Sequence, residues 1–121
     1  MFRDNIQKVL DKVEGSIAGV LMGFDGMPVD SYAKSGFGDS LPDIQTLAAE
    51  FAHLVANAKR TVQSLDAGAL AEVTIRTDAL TIVFAVVTDE YFLACALLPT
   101  ALVGKARYLV KIATPQLRAE L

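Results

Sequence analysis

The sequence predicts an α+β domain. A five-stranded, mostly antiparallel sheet carries one long helix on one face and terminal helices on the other, in the order α-β-β-α-β-β-β-α. Three observations lead there. Two strand-like segments flank Asp25-Gly26, a dipeptide suited to a tight hairpin. A helical apolar period then runs from about residue 41 to Leu65, too long for a strand. Finally, Leu80–Val87 and Tyr91–Leu98 are nearly continuous apolar runs joined by Thr88-Asp89-Glu90, as expected of central strands covered on both faces.

Each element has a local reason. Phe2, Ile6, Val9, Leu10 and Val13 recur at helical spacing, and Gly15 follows where a left-handed stop is wanted, so a first helix covers about residues 3–14. Ile17 to Phe24 reads as a strand, and Asp25 and Gly26 are assigned the two positive-φ positions of the turn. Met27 to Ala33 returns with alternation. Lys34 to Ser40 is a Gly/Ser-rich loop. Ser40-Leu41-Pro42-Asp43 then reads as a helix start, with Ser40 as the capping hydroxyl. Asp66-Ala67-Gly68 ends the second helix. Ala71 to Thr77 alternates Val73 and Ile75 against Glu72, Thr74 and Arg76. A last helix is capped by Thr100, buries Leu102, Ala106, Leu109 and Ala113, and should break or kink near Thr114 because Pro115 follows.

Composition narrows the function classes. The chain has 121 residues, 53% of them apolar, with a net charge of −3 at pH 7. One domain over residues 1–121 is expected, with no repeat or linker to divide it. The apolar content does not imply a membrane span, because the longest uninterrupted run, Tyr91–Leu98, is far short of the ~20 residues required. The charge balance gives no basic field for nucleic acid or anionic lipid. The charged N-terminal segment is unlike a signal peptide, and a cytoplasmic protein is expected.

The second helix carries the surplus. At 100° per residue, Ile44, Ala48, Phe51, Val55, Ala58, Val62 and Leu65, widened by Leu47 and Leu54, form the stripe that should meet the sheet. The opposite side carries Ala49, Ala52 and Ala56 around His53 and Arg60, with Lys59 on the flank. Alanine is a good helix former wherever it stands. Small residues there would also let a second backbone approach, giving a docking face for another protein chain.

Enzyme chemistry has little foothold. His53 is the only histidine and Cys95 the only cysteine, and Cys95 sits in an apolar strand where a thiol is an inert small hydrophobe. Gly36-Phe37-Gly38 is half of a phosphate loop without its strand, and Gly104-Lys105 lacks the rest of a nucleotide-binding loop. Asp25, Asp30, Asp39 and Asp43 each suit a turn or a cap. No catalytic residue, metal ligand or cofactor site is assigned. Lys105, Arg107, Lys111 and Arg118 make the last helix basic, which suits a solvated face or an acidic partner.

Three of these features together resemble the roadblock (dynein light chain) family. They are the hairpin Gly19-Val20-Leu21-Met22-Gly23-Phe24-Asp25-Gly26-Met27-Pro28-Val29-Asp30-Ser31, the element order, and Gly104-Lys105-Ala106-Arg107, which matches a Gly-x-x-Arg in the final helix. The resemblance implies a homodimer whose third strands pair edge to edge and whose second helices lie side by side. Glu72, Thr74, Arg76, Ala49 and Ala56 would form its interface. In the bacterial branch similar to gliding-motility (Mgl-type) regulators, such a dimer binds a small Ras-like GTPase across the second helix and controls its nucleotide cycle. Ala49, Ala52, His53, Ala56, Lys59 and Arg60 would make that contact, although Lys59 and Arg60 depart from the small residues common there. The function expected is therefore a non-catalytic dimeric regulator or scaffold of a small GTPase. The alternatives are a structural adaptor that tethers a larger complex without affecting GTP hydrolysis, and a small-ligand sensor, which would need a defined pocket.

Overall fold

The structure, a computed structural model, describes residues 1–34 and 42–121. The elements are α1 (Phe2–Asp11), β1 (Ser16–Gly23), β2 (Pro28–Ala33), α2 (Ile44–Ser64), β3 (Glu72–Arg76), β4 (Thr81–Val86), β5 (Tyr91–Leu97) and α3 (Val103–Glu120). The strands form one sheet in the order β2-β1-β5-β4-β3, and every neighbouring pair is antiparallel. This is the element order and layering that the sequence predicts. The expected loop, with Gly36, Gly38, Asp39 and the Ser40 cap, falls on residues outside those described.

Two cores sandwich the sheet. On one face, Val20, Met22, Ile82, Phe84 and Phe92 pack under α2. On the other, Leu21, Ala85, Leu93 and Cys95 pack under Ile6, Val9 and Leu10 of α1 and Val110, Ala113 and Leu117 of α3. Strands β1, β5 and β4 are therefore covered twice, which is why they are apolar at nearly every position. Ser16, fully buried, fastens α1 to β1. Its hydroxyl lies 2.7 Å from the Leu10 carbonyl and 2.8 Å from that of Val13, donating to one at a time.

Several local expectations are corrected. Only Gly26 of the hairpin turn has positive φ, at +89°; Asp25 does not. Gly26 N–H donates to Gly23 O and Gly23 N–H to Met27 O, both at 2.9 Å, closing a three-residue loop rather than the two-residue turn expected. Asp25 serves instead as an acceptor for Met27 N–H. Helix α2 starts from Asp43, whose carboxylate accepts from Gln45 N–H, Thr46 N–H and the Thr46 hydroxyl. Thr100 does not cap α3, because the chain first turns through Ala101 and enters the helix at Leu102, without a side-chain cap. Leu102 is exposed, and Val110 and Leu117 carry the packing expected of it. Nor does Pro115 end α3, which continues to Glu120. Pro115 and Lys111 both lie on the exposed side of the helix, so the Lys111 carbonyl that loses its helical donor is not sealed in the core.

The hydrogen bond from the Thr46 hydroxyl, and then that from Gln45 N–H, hold the Asp43 carboxyl below its ordinary pKa. A folded-state value below the unfolded one gives stability that is complete above the unfolded value and disappears as pH falls through the folded one. Asp43→Ala is therefore expected to cost about 1 kcal/mol near neutral pH. In paired thermal melts the gap between the two proteins should close on acidification below about pH 4. A gap independent of pH contradicts the charged cap.

Candidate functional site

What a sheet leaves uncovered depends on where its helices sit. Helix α2 packs on β1, β5 and β2. Its buried residues are Ile44, Ala48, Ala52 and Val55, and Ala18, Ala94 and Ala96 face them from the sheet. Small side chains on both sides of a helix–sheet contact let the two backbones approach closely. Phe51 stands beside this seam and meets Phe84 edge-on, with ring centroids 5.8 Å apart.

This geometry rotates α2 from the phase expected. Ala52, predicted on the outer face as a partner contact, is only 2% exposed and lies in the core. Leu54 and Leu65, predicted to meet the sheet, are 47% and 70% exposed. The helical period alone puts the largest side chains at the centre of the stripe, whereas a close seat puts alanines there and moves leucine to the flank.

The remaining predicted residues separate into groups. His53 and Arg60 are exposed, and Arg60 donates to the side-chain Oδ1 of Asn57 one turn before it. Ala49 and Ala56 are half-buried on the flank nearer β2, the side on which Gln45 reaches the Ser31 hydroxyl of β2. Lys59 is committed within the chain. Its ammonium donates to Asp89 O at 2.6 Å, lies 3.5 Å from the Asp89 carboxylate and sits 4.8 Å from the centroid of the Phe24 ring. Its side chain is 17% exposed, so its expected availability to a partner is corrected.

Glu72, Thr74 and Arg76 occupy β3, at the far edge of the sheet from β2. The structure therefore does not bring Ala49 and Ala56 together with them, as the expected dimer interface required. The register explains what the β3 edge offers. Ala71 O accepts from Val86 N–H, and Thr77 N–H donates to Leu80 O. Alternation then directs Val73 and Ile75 to β4 and leaves the peptide groups of Glu72, Thr74 and Arg76 facing outward. Glu72 also forms an ion pair with Arg107 of α3.

Sequence reasoning missed the surface between these groups. Val73 and Ile75 are half-buried on the α2 face of the sheet, beyond the edge of α2. Leu54 and half-buried Ala58 flank α2 toward the same side as Phe51. The signal was the apolar alternation of an edge strand, which needs a cover that one helix does not extend to.

Comparison with known proteins identifies the arrangement. MglC of Myxococcus xanthus has a solved structure that superposes with a TM-score of 0.71 at 33% identity, over 99% of this chain and 98% of that one. The chain belongs to the roadblock family, Mgl type. The gliding protein MglB of Thermus thermophilus shares the fold at 17% identity and a TM-score of 0.82, over 96% of this chain and 84% of that chain. A Roadblock/LC7 domain of Streptomyces avermitilis does so at 15% and 0.80, over 96% and 93%. No protein-family model and no curated protein matches the sequence.

The other chemical groups of this roadblock chain lie apart. Cys95 is in the core on the α1–α3 side, where burial pushes its thiol up to about 12. His53 is exposed on α2, across the sheet from it. Among the described residues, no group of three His, Cys, Asp or Glu side chains is placed to hold a metal ion, and no helix is long and apolar enough to cross a membrane.

The observed phase of the second helix predicts opposite outcomes at two positions. Ala52→Leu overpacks a buried position of the core and should destabilise the fold by about 1–3 kcal/mol. Leu65→Ala, at a side chain 70% exposed, should change stability by no more than about 0.5 kcal/mol. Urea denaturation of both variants decides, and the reverse ranking would restore the helix phase expected from the sequence.

Proposed function

We propose that this roadblock domain works as a homodimer that binds a small Ras-like GTPase and regulates its nucleotide cycle without supplying catalytic residues. The observation that carries the reading is the uncovered side of the α2–β3 surface, in a chain of the Mgl type. A second copy joining at β3 pairs the outward peptide groups of Glu72, Thr74 and Arg76 with their equivalents. It also places its own α2 over Val73, Ile75, Leu54 and Ala58. Burial of such apolar surface contributes about 25 cal/mol per Å², and edge pairing supplies the register. The GTPase then has the outward side of α2, where His53, Ala56, Ala49 and Arg60 stand. Arg60 is a contact in this reading rather than a group inserted into the nucleotide site.

The two roles separate by mutation. Thr74 N–H faces outward, so Thr74→Pro removes a donor from the free edge and leaves the ladder to β4 intact. Light scattering is expected to give half the wild-type mass with an unchanged circular dichroism spectrum. Val73→Pro, which removes a donor facing β4, should unfold the chain. A Thr74→Pro protein that keeps its wild-type mass rules out pairing at this edge, as does a monomeric wild type.

The GTPase contact is tested with the Ras-like GTPase of the same genome in its GDP, GTP and transition-state-analogue forms. His53→Glu with Ala56→Arg is expected to weaken binding at least about tenfold, or ~1.4 kcal/mol, at unchanged dimer mass. Absence of binding in all three states, together with an unchanged hydrolysis rate, overturns the regulatory reading.

A further inference from the structure

The face of the sheet opposite α2 carries a second surface. An open trough of about 910 Å³ runs between α3 and the β3–β4 side of the sheet. Its wall follows α3 from Gly104 to Arg118, about 21 Å along the helix axis. That distance matches roughly six residues of extended chain.

Charge in the trough is uneven. Arg107 is neutralised by Glu72, and Asp89 by Lys59. Arg118 donates from Nε to Val87 O at 2.8 Å, and a neutral carbonyl leaves its positive charge uncompensated. Lys111 makes no ion pair among the described residues. Among those residues, two free cations two helical turns apart thus line one wall, in a chain whose net charge is −3. Between and before them the exposed Tyr108 and Pro115 offer apolar rings on the rim.

Gly104 is a second, independent observation. It sits in the first turn of α3 without positive φ, and a Cβ built on it meets nothing within 4 Å. Neither strain nor crowding in the free chain explains a poor helix former there. A glycine there leaves the mouth of the trough clear of side chains, as a closely passing backbone requires.

We propose that the trough binds an extended acidic segment of another protein, with carboxylates on Lys111 and Arg118 and apolar side chains on Tyr108 and Pro115. The elongated shape and the separation of the cations favour a peptide over a compact anion, which would reach one of them at a time. The surface lies across the sheet from the proposed GTPase contact, so that contact and this one stand or fall separately.

The test is a ¹⁵N-correlation titration of the intact protein with an acetylated heptapeptide of alternating glutamate and leucine. Expected are saturable shifts at residues 85–89 and 104–118, with binding weakened at least about tenfold, ~1.4 kcal/mol, by Lys111→Glu. Gly104→Leu should weaken it as well, and His53→Glu should leave it unchanged. Lys111→Glu alters a side chain without an ion pair and keeps the fold, which its own spectrum verifies. The proposal is overturned by no saturable shift at millimolar peptide, by equal binding of a lysine–leucine heptapeptide, by shifts confined to α2, or by inorganic phosphate alone reproducing the effect.

Discussion

The structure depends on how closely α2 seats on the sheet. Ala48 and Ala52 of α2 share one buried cluster with Ala18, Ala94 and Ala96 of the sheet, so small side chains stand on both sides of the contact over β1 and β5. A helix is about 10–12 Å across with its side chains, whereas five strands at about 4.8 Å spacing span roughly 20 Å. One helix cannot cover that width. On the other face α1 and α3 divide the work, each packing half of the core. On the α2 face nothing in the described chain takes the second place, and Val73 and Ile75 are left half-buried at the β3 side.

Turn chemistry then fixes how the helix end meets the sheet. Phe24 N–H donates to Glu90 O at 3.0 Å, joining the β1–β2 and β4–β5 turns. Lys59 closes the same corner from α2, over the Phe24 ring and onto Asp89. Thr88 completes it, its hydroxyl accepting from Glu90 and Tyr91 N–H. A lysine that reads from sequence as a surface charge is thus a tie between helix and hairpins, and the outer face of α2 carries Glu50, His53, Asn57 and Arg60 among its exposed polar residues.

Much of this was legible. The hairpin, the long helix and the two apolar runs are dictated by local pattern, and Gly15 takes the left-handed φ of +86° expected of it. The phase of α2 was not legible, because its burial follows the size of residues on the sheet opposite, and a helical wheel does not contain Ala94 or Ala96. The role of Lys59 was hidden for the same reason: Asp89 lies 30 residues away in sequence. The continuation of α3 through Pro115 reflects solvent on that side of the helix, a tertiary fact overriding a local rule. Glu72, Thr74 and Arg76 were correctly placed on one strand, yet the outward direction of their peptide groups required the register with β4.

Cover for the β3 side of the sheet is the central requirement, and a second copy of the chain is the cover proposed. Amide hydrogen exchange at Glu72, Thr74 and Arg76 probes it directly, because those groups point away from β4 and have no partner within the described chain. Pairing between copies predicts that these three amides are protected at high protein concentration and lose protection on dilution, while Val73 and Ile75 remain protected throughout. Fast exchange at all three positions, unchanged across the concentration range, would contradict it.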